Sequence, residues 1–280
     1  TYTETENDLT VKANKRTFIF SKKDGQLKGV SVDNRKISFA NGPRFIGARR
    51  ADRSLDQFYN HDDEKAKEKD RTYSEFPDAA VFTKLDVKED GGNLVVTANY
   101  KLGNLDKAQW TINPNGELAL DYTYNFSGVV DLMGIRFDYP EDQVISKRWL
   151  GAGPYRVWQN RIHGTQYDVW ENDYNDPIPG ETFTYPEFKG YFGDVSWMNI
   201  QTKEGTISLT NETPDAYIGV YQPRDGRDRL LYTLPESGIS VLNVIPPVRN
   251  KVNSTDLCGP SSQPKWVNGP QTGRVIFRFM

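Results

Sequence analysis

Short runs of alternating apolar and polar residues, separated by turn residues, recur along the whole chain. The first three runs cover residues 9–13, 17–20 and 27–32, and the Asp24-Gly25 pair between the last two is typical of a hairpin turn. Further runs of this kind lie at residues 80–88, 94–101, 108–112, 118–126, 195–201, 206–210, 239–244 and 275–279. Many short strands joined by turns predict a β-sandwich or a barrel. No long segment has a helical period, so we predict an all-β fold with few or no helices.

The length of the chain leaves room for one large β domain or two small ones. All-β sandwiches often form a single unit at roughly 200 to 250 residues, and this chain has 280. No linker, low-complexity tract or internal repeat separates its two halves. We therefore predict one continuous β domain over residues 1–280, with a core that uses Tyr, Phe and Trp more than aliphatic runs.

Charge and cysteine content exclude several classes of function. The net charge is -3, from 35 Lys and Arg against 38 Asp and Glu, so no field of one sign favours nucleic acid or an anionic membrane. No segment reaches the roughly 20 apolar residues that span a bilayer. The single cysteine, Cys258, allows no internal disulfide, and two histidines, His61 and His163, argue against a zinc site. Neutral glycans are a ligand class that these exclusions leave open.

The stretch from residue 148 to residue 176 concentrates aromatic and charged side chains behind a glycine-rich turn. Gly151, Gly153 and Pro154 predict a fixed, non-helical loop. Two interpretations of its tryptophans stay open. In the first, the tryptophans stack on sugar rings beside planar charged groups. In the second, they pack between the two sheets of a sandwich, and composition alone favours this second interpretation. The candidate carbohydrate contacts in this stretch are Trp158, Arg161, His163 and Trp170.

Other candidate groups have a functional and a structural interpretation each. His163 is a candidate general base by residue type, but a lone histidine in a polar loop more often only forms hydrogen bonds. Cys258 is expected to be an inert thiol, because nothing in the sequence supplies a base to activate it. No cofactor is expected. Oxygen ligands for calcium cluster at Asp173, Asn175 and Asp176, so a calcium site stays open.

Five blocks of the sequence, taken in chain order, carry a family resemblance. They are residues 15–27, the segment GIRF at residues 134–137, the segment WLGAGP at residues 149–154 followed by Arg161, residues 185–190 with Trp197, and residues 256–260. Together these blocks resemble the C-terminal domain of family 2 glycoside hydrolases of the β-galactosidase type. WLGAGP with Arg161 is the most specific of them, and Trp149, Gly151, Gly153 and Pro154 are its structural residues. The resemblance implies a large antiparallel β-supersandwich of the galactose mutarotase type.

The resemblance also implies an accessory role in a glycosidase. In that family a separate barrel domain carries the two catalytic carboxylates, and the C-terminal domain lends the sugar site a stacking tryptophan. At the corresponding position this chain has Cys258, in a block that begins with Asp256, and Trp266 lies eight residues further on. We therefore expect a divergent branch of the family, with carbohydrate and the other domains of a parent enzyme as partners. No catalytic residue is expected in this chain, and the isolated domain should be inactive.

Two other hypotheses remain open. The chain could be a freestanding aldose 1-epimerase, which would need His61 or His163 in a cleft facing a carboxylate. It could also be a carbohydrate-binding module, with an exposed platform formed by Trp158, Trp170 or Trp266. Because the chain begins at Thr1 without a methionine or a signal-like run, we expect a piece of a longer protein rather than a processed product. A periplasmic or secreted location is expected from the habit of glycan-degrading enzymes.

Overall fold

The computed structural model describes residues 1–50, 73–173, 190–220, 234–247 and 259–280. In these ranges the chain forms two large antiparallel sheets that pack face to face, so the predicted all-β sandwich is confirmed. The helices among the described residues are two single 3-10 turns, Glu141–Gln143 and Pro260–Ser262. No helix in the described part is long and apolar enough to cross a membrane.

Within the described ranges, the first sheet, sheet I, contains ten strands. It follows the order β1-β2-β3-β4-β6-β12-β18-β17, with β5 paired to β4 and β7 paired to β6. The strands are β1 (Tyr2–Glu4), β2 (Asp8–Ala13), β3 (Arg16–Ser21), β4 (Leu27–Val32), β5 (Arg35–Ile37), β6 (Ala40–Arg50), β7 (Tyr73–Glu75), β12 (Leu132–Asp138), β17 (Tyr217–Gly219) and β18 (Ile239–Val244). Its first strands are joined by tight turns, as the sequence predicts, and Gly25 has a φ of +74° in one of them.

The described part of the second sheet, sheet II, contains nine strands in the order β14-β13-β15-β16-β19-β11-β10-β9-β8. These are β8 (Val81–Asp90), β9 (Asn93–Lys101), β10 (Leu105–Ile112), β11 (Leu118–Val130), β13 (Val144–Gly153), β14 (Gln166–Asp173), β15 (Trp197–Thr202), β16 (Gly205–Asn211) and β19 (Lys265–Phe279). The last strand, β19, lies in the middle of the sheet, between β16 and β11. It pairs with β11 over thirteen residues, from Phe277 opposite Leu118 to Lys265 opposite Val130.

The main core fills the space between the two sheets and is rich in aromatic rings. Trp110 is fully buried, with its ring 5.9 Å from that of Phe20 and 6.0 Å from that of Phe137. The ring of Phe39 lies 4.6 Å from that of Phe137 and 5.0 Å from that of Phe277. Stacked, tilted and edge-to-face pairs at these distances add to the free energy gained from burying the rings. Buried Val, Leu and Ile side chains nevertheless outnumber the rings among the described core residues, so the core does not depend on Tyr, Phe and Trp more than on aliphatic residues as predicted.

The prediction of a loop between residues 148 and 176 is wrong for residues 148–153 and 166–173, which form strands, while residues 154–165 connect them without a helix. Residues up to Gly153 belong to β13, and β14 covers Gln166–Asp173. Gly151 and Gly153 continue the strand instead of bending it. The absence of a side chain at these two positions makes room for a neighbouring segment and for an indole ring. Residues 174–176 lie outside the described ranges, and with them two of the three residues suggested for a calcium site.

Candidate functional site

One region of sheet I has a second apolar cluster on the face that points away from the main core. Side chains alternate along a strand, so Phe45 of β6 enters the main core while Ile46 and Ala48 cluster on the opposite face. Leu132 of β12 and Leu242 of β18 lie on that face too. We call this region the covered face, because a loop segment buries it completely. Val157, Trp158 and Tyr191 supply the cover.

The glycine-rich end of β13 places this cover. A side chain at Gly151 would put its Cβ 2.9 Å from the Gly193 carbonyl oxygen, and the Ala152 N–H donates to the same oxygen at 2.9 Å. A Cβ at Gly190 would lie 2.2 Å from the Val157 carbonyl oxygen. The backbones of Val157 and Tyr191 exchange hydrogen bonds at 2.7 and 2.8 Å. Three glycines thus let two backbones approach closely enough to lay Val157 and Trp158 over sheet I.

Buried charged groups stand at the edge of the covered face. Asp131 lies between β11 and β12, and one of its carboxylate oxygens accepts the Arg50 backbone N–H at 2.8 Å. The Arg50 side chain is buried, with its guanidinium carbon 6.0 Å from the centre of the Tyr73 ring. Arg156 is also buried, and its guanidinium carbon lies 5.9 Å from the centre of the Phe192 ring. Burying a charged group costs free energy unless it has hydrogen-bond or ion-pair partners. These buried side chains therefore indicate a polar region that the fold stabilises.

A buried glutamine ties the cover to the segment that leads into β19. The Gln159 side-chain amide donates to the carbonyl oxygens of Ser261 and Gln263 at 2.9 and 2.7 Å. Its backbone N–H donates to the Pro246 carbonyl oxygen at 3.1 Å. These bonds hold three separate parts of the chain together at the edge of the covered face.

An exposed tryptophan stands where β19 begins. Lys265 is paired with Val130, the residue before Asp131, and the next pair is Trp266 with Val129. The Trp266 side chain is 72% exposed, the most exposed tryptophan among the described residues. Its position places a flat aromatic surface beside the strand that leads into the buried Asp131.

Comparison with known families decides what kind of chain this is. The family described as "Beta galactosidase small chain" matches residues 12–251. The chain belongs to the β-galactosidase small-chain family. This match spans both sheets, β2 to β18, and the predicted family resemblance is confirmed. A comparison with curated proteins gave no match.

Similarity to solved structures shows which fold this chain has. Galactose 1-epimerase from Lactobacillus acidophilus NCFM is similar with a TM-score of 0.52 and 10% identity, covering 100% of this chain and 98% of the epimerase. A galactose mutarotase-like protein from Lactobacillus casei has a TM-score of 0.46 and 11% identity, covering 98% and 100% of the two chains. An α-N-acetylgalactosaminidase from Bifidobacterium bifidum has a TM-score of 0.46 and 9% identity, covering 97% of this chain and 36% of that enzyme. At such identities the first likeness establishes a galactose mutarotase-like fold and no activity.

The structure brings the residues of the family signature together. The Trp149 ring is fully buried and donates its N–H to the Ala152 carbonyl oxygen at 3.0 Å. Trp149 is paired with Trp170 across β13 and β14. A Cβ at Gly153 would lie 2.4 Å from the Trp170 indole, so the glycine leaves space for that ring. Pro154 follows and is half-buried.

The carbohydrate contacts predicted from the sequence occupy different environments. Trp158 is fully buried, edge-on to Tyr191 at 5.7 Å, and offers no exposed face to a ligand. Trp170 is half-buried, and its N–H donates to the Gln166 carbonyl oxygen at 3.2 Å. Arg161 and His163 are exposed. The Arg161 backbone pairs with that of Trp158. Asp256 and Cys258 lie outside the described residues.

The buried polar residues at the covered face are the ones that the sequence analysis missed. A signal for Asp131 was present, since it is a lone acid between the apolar pairs Val129-Val130 and Leu132-Met133. Gln159 carried no such signal, because its partners lie more than 85 residues away along the chain. Among the described residues, no group of three His, Cys, Asp or Glu side chains could hold a metal ion.

Proposed function

We propose that this chain is an accessory, carbohydrate-associated domain of a family 2 glycoside hydrolase, and that it shapes a glycan pocket whose catalytic carboxylates come from another domain. The single observation that carries the proposal is the match of residues 12–251 to the β-galactosidase small-chain family. The region at the start of β19 supplies the contact with the glycan in this proposal.

The acids at the covered face support an accessory role. Hydrolysis with retention needs two carboxyl groups roughly 5 to 5.5 Å apart that are available to the glycosidic bond. The carboxylate of Asp131 instead accepts the Arg50 backbone N–H. Glu75, at the end of β7, forms an ion pair with Arg136 at 2.7 Å. These acids hold the fold together, which fits a domain that borrows its catalytic groups.

Trp266 is the residue that we propose as the glycan contact. Its exposed indole is large enough to cover the apolar C–H face of a sugar ring, and it has the flat surface that the Cys258 side chain lacks. Because the strand pair under it leads directly to the buried Asp131, the ring stands on a rigid support.

A freestanding aldose 1-epimerase is the second candidate, and the likeness to galactose 1-epimerase over 100% of this chain favours it. That reaction needs a proton donor and acceptor on opposite sides of the sugar, usually with a histidine in one role. His163 is exposed on the connection between β13 and β14, and no hydrogen bond or ion pair joins it to another described residue. His61 lies outside the described residues. The accessory role is therefore the better supported of the two.

Two assays separate these functions. The chain alone is incubated with an aryl β-D-galactoside to measure hydrolysis, and with α-D-galactose and α-D-glucose to measure mutarotation by polarimetry. We expect neither activity. Adding the catalytic barrel of the parent enzyme should produce hydrolysis, and Trp266→Ala should then raise KM while Leu102→Ala, an equally exposed control at 73%, should not. Catalysed mutarotation by the chain alone would overturn the accessory role.

A further inference from the structure

A cavity lies at the start of β6, at the opposite end of this strand from the charged edge of the covered face. Its volume is about 440 Å³, within the range of roughly 300 to 1,000 Å³ that is usual for small-molecule sites. It is lined by Lys28, Lys36, Asn41, Asp138, Tyr139 and Glu236, among others. Asn41 and Arg50 are nine residues apart on β6, so at about 3.3 Å per residue the cavity is roughly 30 Å from the charged edge of the covered face.

Hydrogen bonds from three sides fix the walls of this cavity. The Glu204 carboxylate accepts the backbone N–H and the hydroxyl of Ser38, at 2.9 and 2.6 Å, and the Tyr139 hydroxyl at 3.1 Å. On the opposite wall the Asn41 side-chain amide donates to Asp138 at 2.8 Å, and Arg44 forms an ion pair with the other oxygen of that carboxylate. A site held in this way loses little conformational entropy when a ligand binds.

The third wall is fixed through the backbone of Glu236. Its carbonyl oxygen accepts a hydrogen bond from the Arg136 guanidinium at 2.5 Å. Arg136 is held in turn by its ion pair with Glu75. The side chain of Glu236 is thus carried on a fixed backbone while the carboxylate itself is exposed.

The charges around the cavity balance. Two cations, Lys28 and Lys36, face two anions, Asp138 and Glu236. Lys28 is already paired with Asp8 at 3.0 Å, and Asp138 with Arg44. The Lys36 and Glu236 side chains have no hydrogen-bond or ion-pair partner among the described residues. The cavity therefore offers a free ammonium donor and a free carboxylate acceptor without a net charge that would select an ionic ligand.

We propose that this cavity is a binding site for a neutral saccharide, separate from the covered face. The Lys36 ammonium donates to sugar hydroxyls, while the Glu236 carboxylate accepts from them. Pro140, which is exposed, supplies apolar surface for the C–H groups. Neutral hydroxyls match this mixture of donors and acceptors, whereas a phosphate or a free carboxylate would meet Asp138 and Glu236 with like charge. The proposal does not depend on the accessory role, since it involves neither Trp266 nor a partner domain.

Calorimetric titration of the whole chain with galactose, glucose and lactose tests the site. Lys36→Ala and Glu236→Gln should each weaken saccharide binding roughly tenfold, because each removes a hydrogen bond to a charged group. Both side chains are exposed, so the melting temperature should not change. Lys84→Ala, an exposed lysine of β8 with 63% side-chain exposure, is the matched control and should bind as the original chain does.

Parallel titrations identify the ligand class and the location. Inorganic phosphate should not compete with the saccharide, and Lys36→Ala should weaken saccharide binding in the Trp266→Ala background as it does in the original chain. The proposal fails if no saccharide binds, if phosphate displaces it, or if Trp266→Ala abolishes binding while Lys36→Ala and Glu236→Gln do not. Because these measurements need no catalysis, they stay distinct from the assays of the accessory role.

Discussion

At the scale of single residues, Gly153 shows why the signature needs glycine. A methyl group there would lie 2.4 Å from the Trp170 indole, much closer than carbon atoms approach in folded proteins. We expect Gly153→Ala to lower the free energy of unfolding by about 1 to 3 kcal/mol, the usual cost of overpacking. Urea unfolding monitored by tryptophan fluorescence measures it. Gly29→Ala is the control, because the nearest atom to its Cβ is 4.0 Å away, and equal stability of the two variants would contradict the argument.

Buried tyrosines predict how stability changes at alkaline pH. Burial raises the pKa of Tyr122 from 10.0 to about 12. Since the folded state then holds the proton more tightly than the unfolded state, this group stabilises the fold fully below pH 10 and loses that contribution as the pH rises to about 12. Tyr122→Phe should reduce the loss of unfolding free energy over this interval by about 1 to 3 kcal/mol. Urea unfolding at a series of pH values tests it, and identical profiles for the two chains would refute it.

The sequence predicts residue types at the site better than their environments. The signature singled out Trp149, Gly151 and Gly153, and these residues lie on β13, but the signature did not predict that the glycines continue a strand. Nor could it tell that Trp158 is buried and Trp266 exposed. Burial depends on which other parts of the chain pack against a residue. The sequence shows a tryptophan in the same way whether the side chain lies in a core or on a surface.

At the scale of elements, Gln159 couples the cover of sheet I to the start of β19. Gln159→Ala removes the two side-chain hydrogen bonds to Ser261 and Gln263. We expect a loss of about 1 to 3 kcal/mol in stability, from two bonds at roughly 0.5 to 1.5 kcal/mol each. Backbone amides at residues 261–263 should exchange with deuterium faster, which mass spectrometry detects. Gln143→Ala, at a half-buried glutamine of a 3-10 turn, should leave that exchange unaltered. Unchanged exchange in Gln159→Ala would show that the coupling is absent.

Local elements could be predicted where their signals are local. The Asp24-Gly25 turn and the alternating strands around it follow from nearest neighbours in sequence. By contrast, β19 was expected only at residues 275–279, and it begins at Lys265. Residues 265–274 contain Gly269 and Pro270, which favour loops in a short segment. They form a strand because β11 offers thirteen consecutive pairing positions, about 150 residues away along the chain.

At the scale of the whole molecule, the order of strands rests on contacts between distant parts of the sequence. In sheet I, β6 lies beside β12 and β12 beside β18, with more than 80 residues between the paired positions. No local pattern encodes such an order, and here the family resemblance, rather than periodicity, supplied the expected architecture. Folds dominated by distant pairings form slowly, because chain entropy is lost before the contacts are gained.

The position of β19 gives a prediction for the fold as a unit. It bridges β16 and β11 in the middle of sheet II, and its backbone accepts a bond from Arg16 of sheet I at 2.9 Å. A chain that ends at residue 264 would expose two long strand edges and lose Val275, Phe277 and Phe279 from the core. We expect it not to fold, with near-ultraviolet circular dichroism lost and dye binding to exposed apolar surface gained. A chain that begins at residue 8 loses only β1, an exposed edge strand paired with β2 alone, and should keep the native spectrum. If the chain ending at residue 264 also kept the native spectrum, the sandwich would fold without β19 and the prediction would be wrong.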